Sequence, residues 1–152
     1  MTLEIYTDGC CLNNQSNENR GGWAFIAVQE PLKPQMVSGA AINTTNQRME
    51  LTACIEAMKF GAMTGEKDIH IITDSAYVVN CIKDSWYLKW RSNGWLNSKR
   101  EPVKNQDLWE IFITFLEFQY FKFTHVKGHS GHEWNEKVDQ LAKNAAKEAG
   151  NE

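Results

Sequence analysis

Two short stretches of the sequence end in the same Thr-Asp dipeptide, and this repetition restricts the fold more than any other feature. Residues 3–8 alternate apolar and polar side chains, the pattern of a strand with one buried face. Gly9 is expected to end that strand, because glycine tolerates backbone angles that other residues avoid. Residues 69–74 repeat both the alternation and the ending. If the two strands lie side by side, Asp8 and Asp74 must meet at one edge of a sheet, and this edge is the candidate site.

Length and composition predict one domain spanning residues 1–152. A chain of 152 residues with 42% hydrophobic content is long enough to bury a single core. No apolar run approaches the roughly 20 residues that a membrane-spanning helix needs. Residues 1–4 lead directly into a strand, without the charged start, apolar run and cleavage site of a signal peptide. We therefore expect a soluble protein that acts in the cytoplasm without membrane contact.

Cysteine usage and net charge limit the kinds of site and partner. The four cysteines form no Cys-x-x-Cys pair and lack zinc-finger spacing with histidine, which favours reduced thiols. The formal net charge is −3, so the overall charge argues mildly against a nucleic-acid partner. Such a partner would have to be held by local patches or by metal ions. The cysteines are Cys10, Cys11, Cys54 and Cys81.

The order of predicted elements indicates an α/β fold. Three strands are followed by a helix, a strand, helices, a strand and a final helix, which predicts a mixed sheet with helices packed over it. The first three strands read as an antiparallel meander, so the sheet has five strands: three antiparallel strands, then parallel additions. The predicted strands are residues 3–8, 23–27, 36–42, 69–74 and 120–126. The first predicted helix begins with a cap at Thr44 or Thr45 and ends near Gly61 or Gly65. The other predicted helices are residues 77–82, 108–116 and 133–149.

One segment departs from the acidic composition of the chain. Residues 83–104 carry six basic residues against two acids, a local charge of +4 that indicates an anionic partner. Three tryptophans are interleaved with these charges, and they could instead simply pack the segment onto the body. The tryptophans are Trp86, Trp90 and Trp95, and the basic residues are Lys83, Lys89, Arg91, Lys99, Arg100 and Lys104.

Four acids occupy positions where an ionised carboxylate needs a partner. Asp8 and Asp74 end strands, Glu50 lies in the first turns of a helix, and Asp139 lies beside the apolar side of the last helix. An isolated charge in such surroundings is costly unless it pairs with a cation or binds a metal. Oxygen ligands without cysteine or histidine favour magnesium or manganese over zinc.

Each of these acids also has a purely structural interpretation. Asp74 can precede a helix cap, and Asp8 can belong to an Asp-Gly turn. The two helical acids can pair with Arg48 or Lys143. A shared site is favoured because two strand-end acids occur in the same Thr-Asp context.

Further motifs complete a recognisable pattern over almost the whole chain. They are Tyr6 to Cys10, Thr44 to Leu51, Thr73 to Ser75, Trp90 to Trp95, Pro102 to Asn105, Asp107 to Trp109, Val126 to His132, and Asn135 and Glu136 with Val138 and Asp139. In this order they resemble the type 1 ribonuclease H family. The resemblance implies a ribonuclease H-like fold and an endonuclease that cuts the RNA strand of an RNA/DNA hybrid, leaving 5′-phosphate and 3′-hydroxyl ends. It also implies a monomer without an obligatory protein partner.

The resemblance assigns roles to individual residues. Asp8, Glu50, Asp74 and Asp139 would be the catalytic carboxylates that hold two Mg²⁺ ions, with Mn²⁺ as a substitute. His129 matches a loop histidine that is proposed to move protons or assist product release. The implied substrate contacts are Gly9, Cys10, Asn14, Thr45, Asn46, Gln47, Ser75, Trp90, Trp95 and Asn105.

These contacts divide by the part of the hybrid that each group would meet. The minor groove carries the 2′-hydroxyl that distinguishes RNA from DNA. A pocket for a DNA-strand phosphate matches Thr45, Ser75 and Asn105, and the tryptophan-bearing segment matches the basic protrusion that holds the DNA strand. The minor-groove group is Gly9, Cys10, Asn14, Asn46, Gln47 and Glu50.

The sequence also departs from the family pattern. Residues 91–96 are less basic than the protrusion of several bacterial relatives, Asn43 stands where an arginine often supports the phosphate pocket, and Ala76 replaces a longer residue. The polar loop at residues 13–20 is longer than usual. We expect weaker affinity for the hybrid.

Two alternatives imply a different function. The first is a nuclease or recombinase with the same fold, such as an integrase, a transposase, a resolvase or a proofreading exonuclease. The loop at residues 127–132 and the tryptophan-bearing segment argue against it. The second is a catalytically silent hybrid-binding domain, and the presence of all four acids argues against that.

Overall fold

The computed structural model describes residues 2–12, 19–126 and 133–149, in which alternating strands build a sheet and amphipathic helices cover it. The strands are β1 (Leu3–Leu12), β2 (Arg20–Val28), β3 (Gln35–Ile42), β4 (Ile69–Thr73) and β5 (Lys122–His125). The helices are α1 (Asn46–Thr64), α2 (Ala76–Lys83), α3 (Trp86–Asn93), α4 (Gln106–Phe118) and α5 (Glu133–Glu148).

The sheet has the strand order β3-β2-β1-β4-β5. The first three strands pair antiparallel, and β1 with β4 and β4 with β5 pair parallel. This confirms the predicted five-stranded mixed sheet. Parallel pairing of β1 with β4 ends where Thr7 lies opposite Thr73. The residues that follow, Asp8 and Asp74, are therefore neighbours at one edge, as the repeated dipeptide predicted.

The prediction that Gly9 ends the first strand is wrong. β1 continues to Leu12 and stays paired with β2 as far as Arg20, so Asp8 lies within the strand. The glycine is required for a different reason: a Cβ at this position would overlap the backbone of Met49 and Glu50. Gly9 thus allows the start of α1 to pass directly over β1.

The two faces of the sheet are covered by different helices. Ile5, Phe25 and Ile71 face a core that α1 and α4 complete. The alternate residues of the same strands face α5, where Val138 and Ala142 pack in a second cluster. This alternation follows from the two-residue period of a strand. No helix among the described residues is both long and apolar enough to cross a membrane.

Helix boundaries follow from identifiable caps. Thr45 is the N-cap of α1, its hydroxyl accepting the Arg48 N–H at 3.1 Å, so of the two candidate threonines the second is used. The helix ends at Gly65, whose φ of 80° belongs to the left-handed region that glycine adopts without strain. Ser75 caps α2 by accepting the Val78 N–H at 3.2 Å.

The tryptophan-bearing segment contains a helix, α3, that the sequence did not predict. Trp86 and Trp90 pack against the core on the α1 side, with Trp90 and Trp109 ring centroids 5.5 Å apart. Trp95 stacks on Trp90 at 5.8 Å. The packing role considered for these tryptophans therefore applies, and it leaves the charged face of α3 exposed at Lys89 and Arg91.

Candidate functional site

The site is formed where β1, β4, α1 and α5 meet. The strand register brings Asp8 beside Asp74, and the close passage of α1 over Gly9 brings Glu50 to them. One carboxylate oxygen from each of these three acids lies within 4.8 Å of the others. Asp139 on α5 joins the group through a hydrogen bond with Asp8. The structure therefore brings together all four acids that the sequence singled out.

Electrostatics at this cluster are unfavourable for four free carboxylates. Asp8 is 5% exposed, and burial, followed by repulsion from Asp74, raises its pKa to about 9. Burial also raises the pKa of Asp74, although a hydrogen bond with Asp8 opposes that change. Burial raises the pKa of Glu50 against a hydrogen bond from Ser75. In the protein without a cation, a proton on Asp8 allows the acids to lie so close together.

The donor set fits a hard divalent cation. All the convergent ligand atoms are carboxylate oxygens, which suit magnesium or manganese. Oδ1 of Asp74 is buried and accepts no hydrogen bond from any residue that the structure describes. Buried polar atoms without a partner are rare in folded proteins, and a bound ion is one recognised explanation.

The structural alternatives for single acids are only partly realised. Arg48 does not pair with Glu50; its guanidinium forms a bidentate contact with Asp107 at 3.0 and 2.8 Å. Lys143 does pair with Asp139, at 3.0 Å. Lys143 and the nearby His125, which opposes the burial-driven rise in the pKa of Asp74, supply positive charge at this site.

The predicted minor-groove contacts lie next to the acids. The Asn46 side chain bridges β1 and α1, because its Oδ1 accepts the Cys11 N–H at 3.1 Å and its Nδ2 donates to Glu50 at 3.4 Å. Gln47 is exposed beside it. Cys10 follows Gly9 on β1, and burial together with Asp8 raises the pKa of its thiol to about 11, so the thiol is protonated at neutral pH.

The three residues predicted for the phosphate pocket each precede a helix. Thr45 and Ser75 cap α1 and α2, and Asn105 precedes α4 with a φ of 63°. Helix N-termini present unpaired N–H groups and partial positive charge, which suits an anion. Ser75 is 2% exposed, and its hydroxyl is occupied by Glu50 and by its own helix, so its side chain serves the acid cluster.

In the tryptophan-bearing segment, Trp90 lines an open cavity of about 400 Å³, and Trp95 stacks on Trp90 without lining that cavity. The lining residues are Trp86, Lys89, Trp90, Asn93, Leu96, Asn97 and Ser98. Two other predicted site residues, Asn14 and His129, lie outside the described residues.

Sequence reasoning missed two residues near the site. His125, at the end of β5, places Nε2 3.2 Å from the backbone oxygen of Asp74. Tyr77, on the first turn of α2, contacts Asn105 through its hydroxyl. The sequence signal for His125 was its place at the end of a strand predicted to be parallel to β4. Nothing in the sequence pattern singled out Tyr77.

Comparisons with known proteins agree on the family and the fold. The sequence profile of the RNase H family matches residues 1–147. The chain is 49% identical over 148 residues to a ribonuclease H from Syntrophomonas wolfei, covering 96% of this chain and 97% of that protein. It is 41% identical over 146 residues to a ribonuclease H from Desulforamulus reducens, covering 96% of this chain and 88% of that protein.

Solved structures show the same similarity. The chain is similar to the crystal structure of LC9-RNase H1, a type 1 RNase H with the type 2 active-site motif, with a TM-score of 0.81 and 28% identity over 96% of this chain and 72% of that chain. It is also similar to the solution structure of the PFV RNase H domain, with a TM-score of 0.77 and 25% identity, covering 95% of this chain and 94% of that chain. LC11-RNase H1 in complex with an RNA/DNA hybrid has the same fold, with a TM-score of 0.66, 21% identity, and coverage of 97% and 98%.

Proposed function

The chain belongs to the RNase H family, as a type 1 member, and from this premise we propose that it hydrolyses the RNA strand of RNA/DNA hybrids with two bound divalent metal ions. The cut RNA would carry a 5′-phosphate and a 3′-hydroxyl. We further propose that residues 1–152 form one domain that acts as a monomer in the cytoplasm.

The observation that carries this proposal is the meeting of Asp8, Glu50 and Asp74 oxygens within 4.8 Å, one oxygen of Asp74 being buried without a donor. With Asp139, these side chains would hold two Mg²⁺ ions, and Mn²⁺ offers a similar preference for oxygen ligands. When bound, such a pair of ions supplies an activated water and stabilises the charge on the phosphate and on the leaving 3′ oxygen. Asp8 must release its proton to become a ligand, because only the carboxylate binds the metal.

Residues around the acids would recognise the sugar and the phosphates. Asn46 and Gln47 offer amide donors and acceptors at the start of α1, suited to base edges and 2′-hydroxyl groups. Gly9 and Cys10 present the backbone of β1 beside them, and Asn14 completes the proposed group. Gly9, Cys10 and Asn46 adjoin the carboxylates, so the strand that they would recognise by its 2′-hydroxyl is also the strand that would be cut.

The other strand would be held at two further places. Thr45, Asn105 and the N-terminus of α2, which Ser75 caps, would bind one DNA phosphate. On the protrusion, Trp90 and Trp95 would offer aromatic surface beside basic side chains, a combination that suits a single nucleic-acid strand. His129 is proposed to move protons or assist product release.

A cleavage assay tests the reaction class. Hybrid, duplex RNA, duplex DNA and single-stranded DNA of one sequence are incubated with the protein and Mg²⁺. We expect cutting of the hybrid RNA strand alone, with ends that a ligase and a terminal transferase identify as 5′-phosphate and 3′-hydroxyl. Preferential cutting of duplex or single-stranded DNA would contradict the proposal.

Variants test the metal assignment. Asp8→Asn and Asp74→Asn should abolish turnover while leaving hybrid binding measurable, and calorimetry should show loss of Mg²⁺ binding. Asp68→Asn is the matched control, because Asp68 is an exposed aspartate at the opposite end of β4. Wild-type rates in both site variants would show that the carboxylates are not the ligands. Binding without turnover in the wild-type protein would identify a silent hybrid-binding domain.

A further inference from the structure

The hydroxyl of Tyr77 lies at the centre of a hydrogen-bond network behind the proposed phosphate pocket. It contacts Trp109 Nε1 at 2.8 Å and Asn105 Nδ2 at 3.2 Å. Arg48 contacts Asn105 from the other side, with Nη1 3.2 Å from Oδ1. Trp109 is fully buried, and its ring packs on Tyr77 with centroids 5.4 Å apart. The network therefore joins α2 and α4 to α1 at one residue, Asn105.

The chemistry of the donors fixes the direction of each bond. A guanidinium can only donate, so the Asn105 carbonyl oxygen must face Arg48 and its amide nitrogen must face Tyr77. An indole N–H also only donates. The Tyr77 oxygen thus accepts two hydrogen bonds, one from Trp109 and one from Asn105, and both of its lone pairs are used.

Among the residues that the structure describes, one amide proton of Asn105 has no acceptor. An asparagine amide has two N–H donors, and Tyr77 accepts one of them. The Asn105 side chain forms no cap with its own helix, although the residue occupies the N-cap position of α4. Its backbone adopts the left-handed conformation, which asparagine tolerates better than most residues. A side chain held by two other helices and unused by its own helix is suited to present its second N–H to a ligand.

We propose that Tyr77 is a positioning residue for hybrid binding: it holds the Asn105 amide so that the second N–H meets a phosphate of the DNA strand. This inference rests on the proposed function, because it assumes that Asn105 belongs to the phosphate pocket. Tyr77 acts through Asn105 and touches no reacting atom, so the chemical step does not depend on it. Its loss raises KM for the hybrid and leaves kcat unchanged.

Tyr77→Phe tests the role most directly, because it removes the acceptor oxygen and keeps the ring that packs on Trp109. We expect KM to rise by about threefold to tenfold, because the hydrogen bond to the phosphate is weakened, whereas complete loss of a hydrogen bond to a charged group costs about tenfold or more. Asn105→Ala should raise KM by about tenfold. In the double variant, the tyrosine substitution should add no further change, because both substitutions act on the same contact.

A stability control is needed because Tyr77→Phe also leaves the buried Trp109 N–H without its acceptor. Ile69→Val is suitable: Ile69 is buried at the start of β4, at the far end of that strand from Asp74. Thermal unfolding measures the loss of stability in each variant. KM should be unchanged in Ile69→Val, so a rise in KM in Tyr77→Phe alone would not be a general effect of a weaker fold.

NMR of the wild-type protein gives a check that needs no folded Tyr77 variant. Hybrid is added in Ca²⁺ so that it is bound without turnover, and the Asn105 side-chain signals are assigned by their loss in Asn105→Ala. Only the amide proton that faces away from Tyr77 should shift strongly. Equal shifts of both protons, or no shift, would overturn the positioning role.

The kinetic outcomes distinguish an error in the role of Tyr77 from an error in the proposed function. If Asn105→Ala raises KM and Tyr77→Phe does not, only the role of Tyr77 is wrong. The same conclusion follows if the two substitutions raise KM independently, so that their factors multiply in the double variant. If Asn105→Ala leaves KM unchanged while the hybrid is still cut, the phosphate pocket is wrong and the role of Tyr77 is wrong with it. Absence of hybrid cleavage would refute the proposed function itself.

Discussion

Replacing Asp8 by asparagine should stabilise the metal-free protein while it destroys the site. The folded state raises the pKa of Asp8 from 3.8 to about 9, through burial and the nearby Asp74. A group whose pKa is raised by folding contributes stability at pH values below its unfolded pKa, and this contribution is lost as pH rises toward the folded pKa. The wild-type protein therefore loses this contribution to stability between about pH 4 and pH 9, a range that includes neutral pH. Asparagine removes the titration.

The structure sets an upper limit for the effect. Neutral pH lies about three units above the unfolded pKa, and each unit corresponds to about 1.4 kcal/mol, so the wild-type protein loses up to about 4 kcal/mol at pH 7 through this group. The asparagine side chain must still be buried beside Asp74, which offsets part of the gain. We expect the free energy of unfolding of Asp8→Asn to exceed that of the wild type by about 1–3 kcal/mol at pH 7.

Urea unfolding in EDTA at several pH values measures this difference. The stability gap between Asp8→Asn and the wild type should widen from pH 5 to pH 8, whereas Asp68→Asn should follow the wild type throughout. Added Mg²⁺ should stabilise the wild type, because a ligand that binds only the folded state adds free energy in proportion to the logarithm of its concentration. It should have little effect on Asp8→Asn. A variant no more stable than the wild type in EDTA, or a gap that does not change with pH, would refute the electrostatic reasoning.

Three further outcomes follow from other parts of the structure. Gly9→Ala should lower the free energy of unfolding by about 1–3 kcal/mol, because the added Cβ overlaps the α1 backbone at Glu50. The variant should also have a lower kcat. Urea unfolding measures the stability, and unchanged stability would contradict this packing. Cys54 and Cys81 are buried, and burial raises the pKa of each thiol to about 12. A thiol reagent at pH 8 should therefore label these two cysteines only after the protein unfolds. Rapid labelling of the native protein would disprove their burial. Raising salt should weaken hybrid binding steeply, and Lys89→Gln should reduce the slope of log affinity against log salt by about one; equal slopes would place Lys89 outside the interface.

The strands of the sheet could be predicted because the patterns that mark them lie within short stretches of the sequence. Alternation over residues 3–8 and 69–74 marks two strands, and the shared Thr-Asp ending locates the edge at which they meet. Parallel pairing of Thr7 with Thr73 then follows from placing equivalent residues side by side. The proximity of Asp8 and Asp74 was predictable for the same reason, since it depends only on register.

What the sequence could not supply depends on contacts between distant segments. The sequence pattern predicts a strand end at Gly9, whereas the glycine is required because the backbone of α1, about forty residues later in the chain, passes against it. Arg48 was considered a partner for Glu50, two positions away, but its partner Asp107 lies on α4. Helix α3 was missed because it is short and only weakly amphipathic, although Trp86 and Trp90 stand four residues apart, and its packing on Trp109 holds it in place. Tertiary contacts, which carry no local signature, decide all these cases.

The strand register that stabilises the sheet also creates the unfavourable charge of the site. Aligning Thr7 with Thr73 completes the parallel ladder, and it necessarily sets Asp8 and Asp74 side by side in a buried place. A sheet of this kind can keep such a pair in two ways: one acid retains a proton, or a cation binds between them. Since the metal ligand is the carboxylate, cation and proton compete for the same oxygens, and metal affinity should rise with pH across the range in which Asp8 titrates. Under the proposed function, the bound ions and the exposed basic side chains of the tryptophan-bearing segment would supply the positive charge that meets the phosphates of a polyanion, although the chain as a whole is acidic.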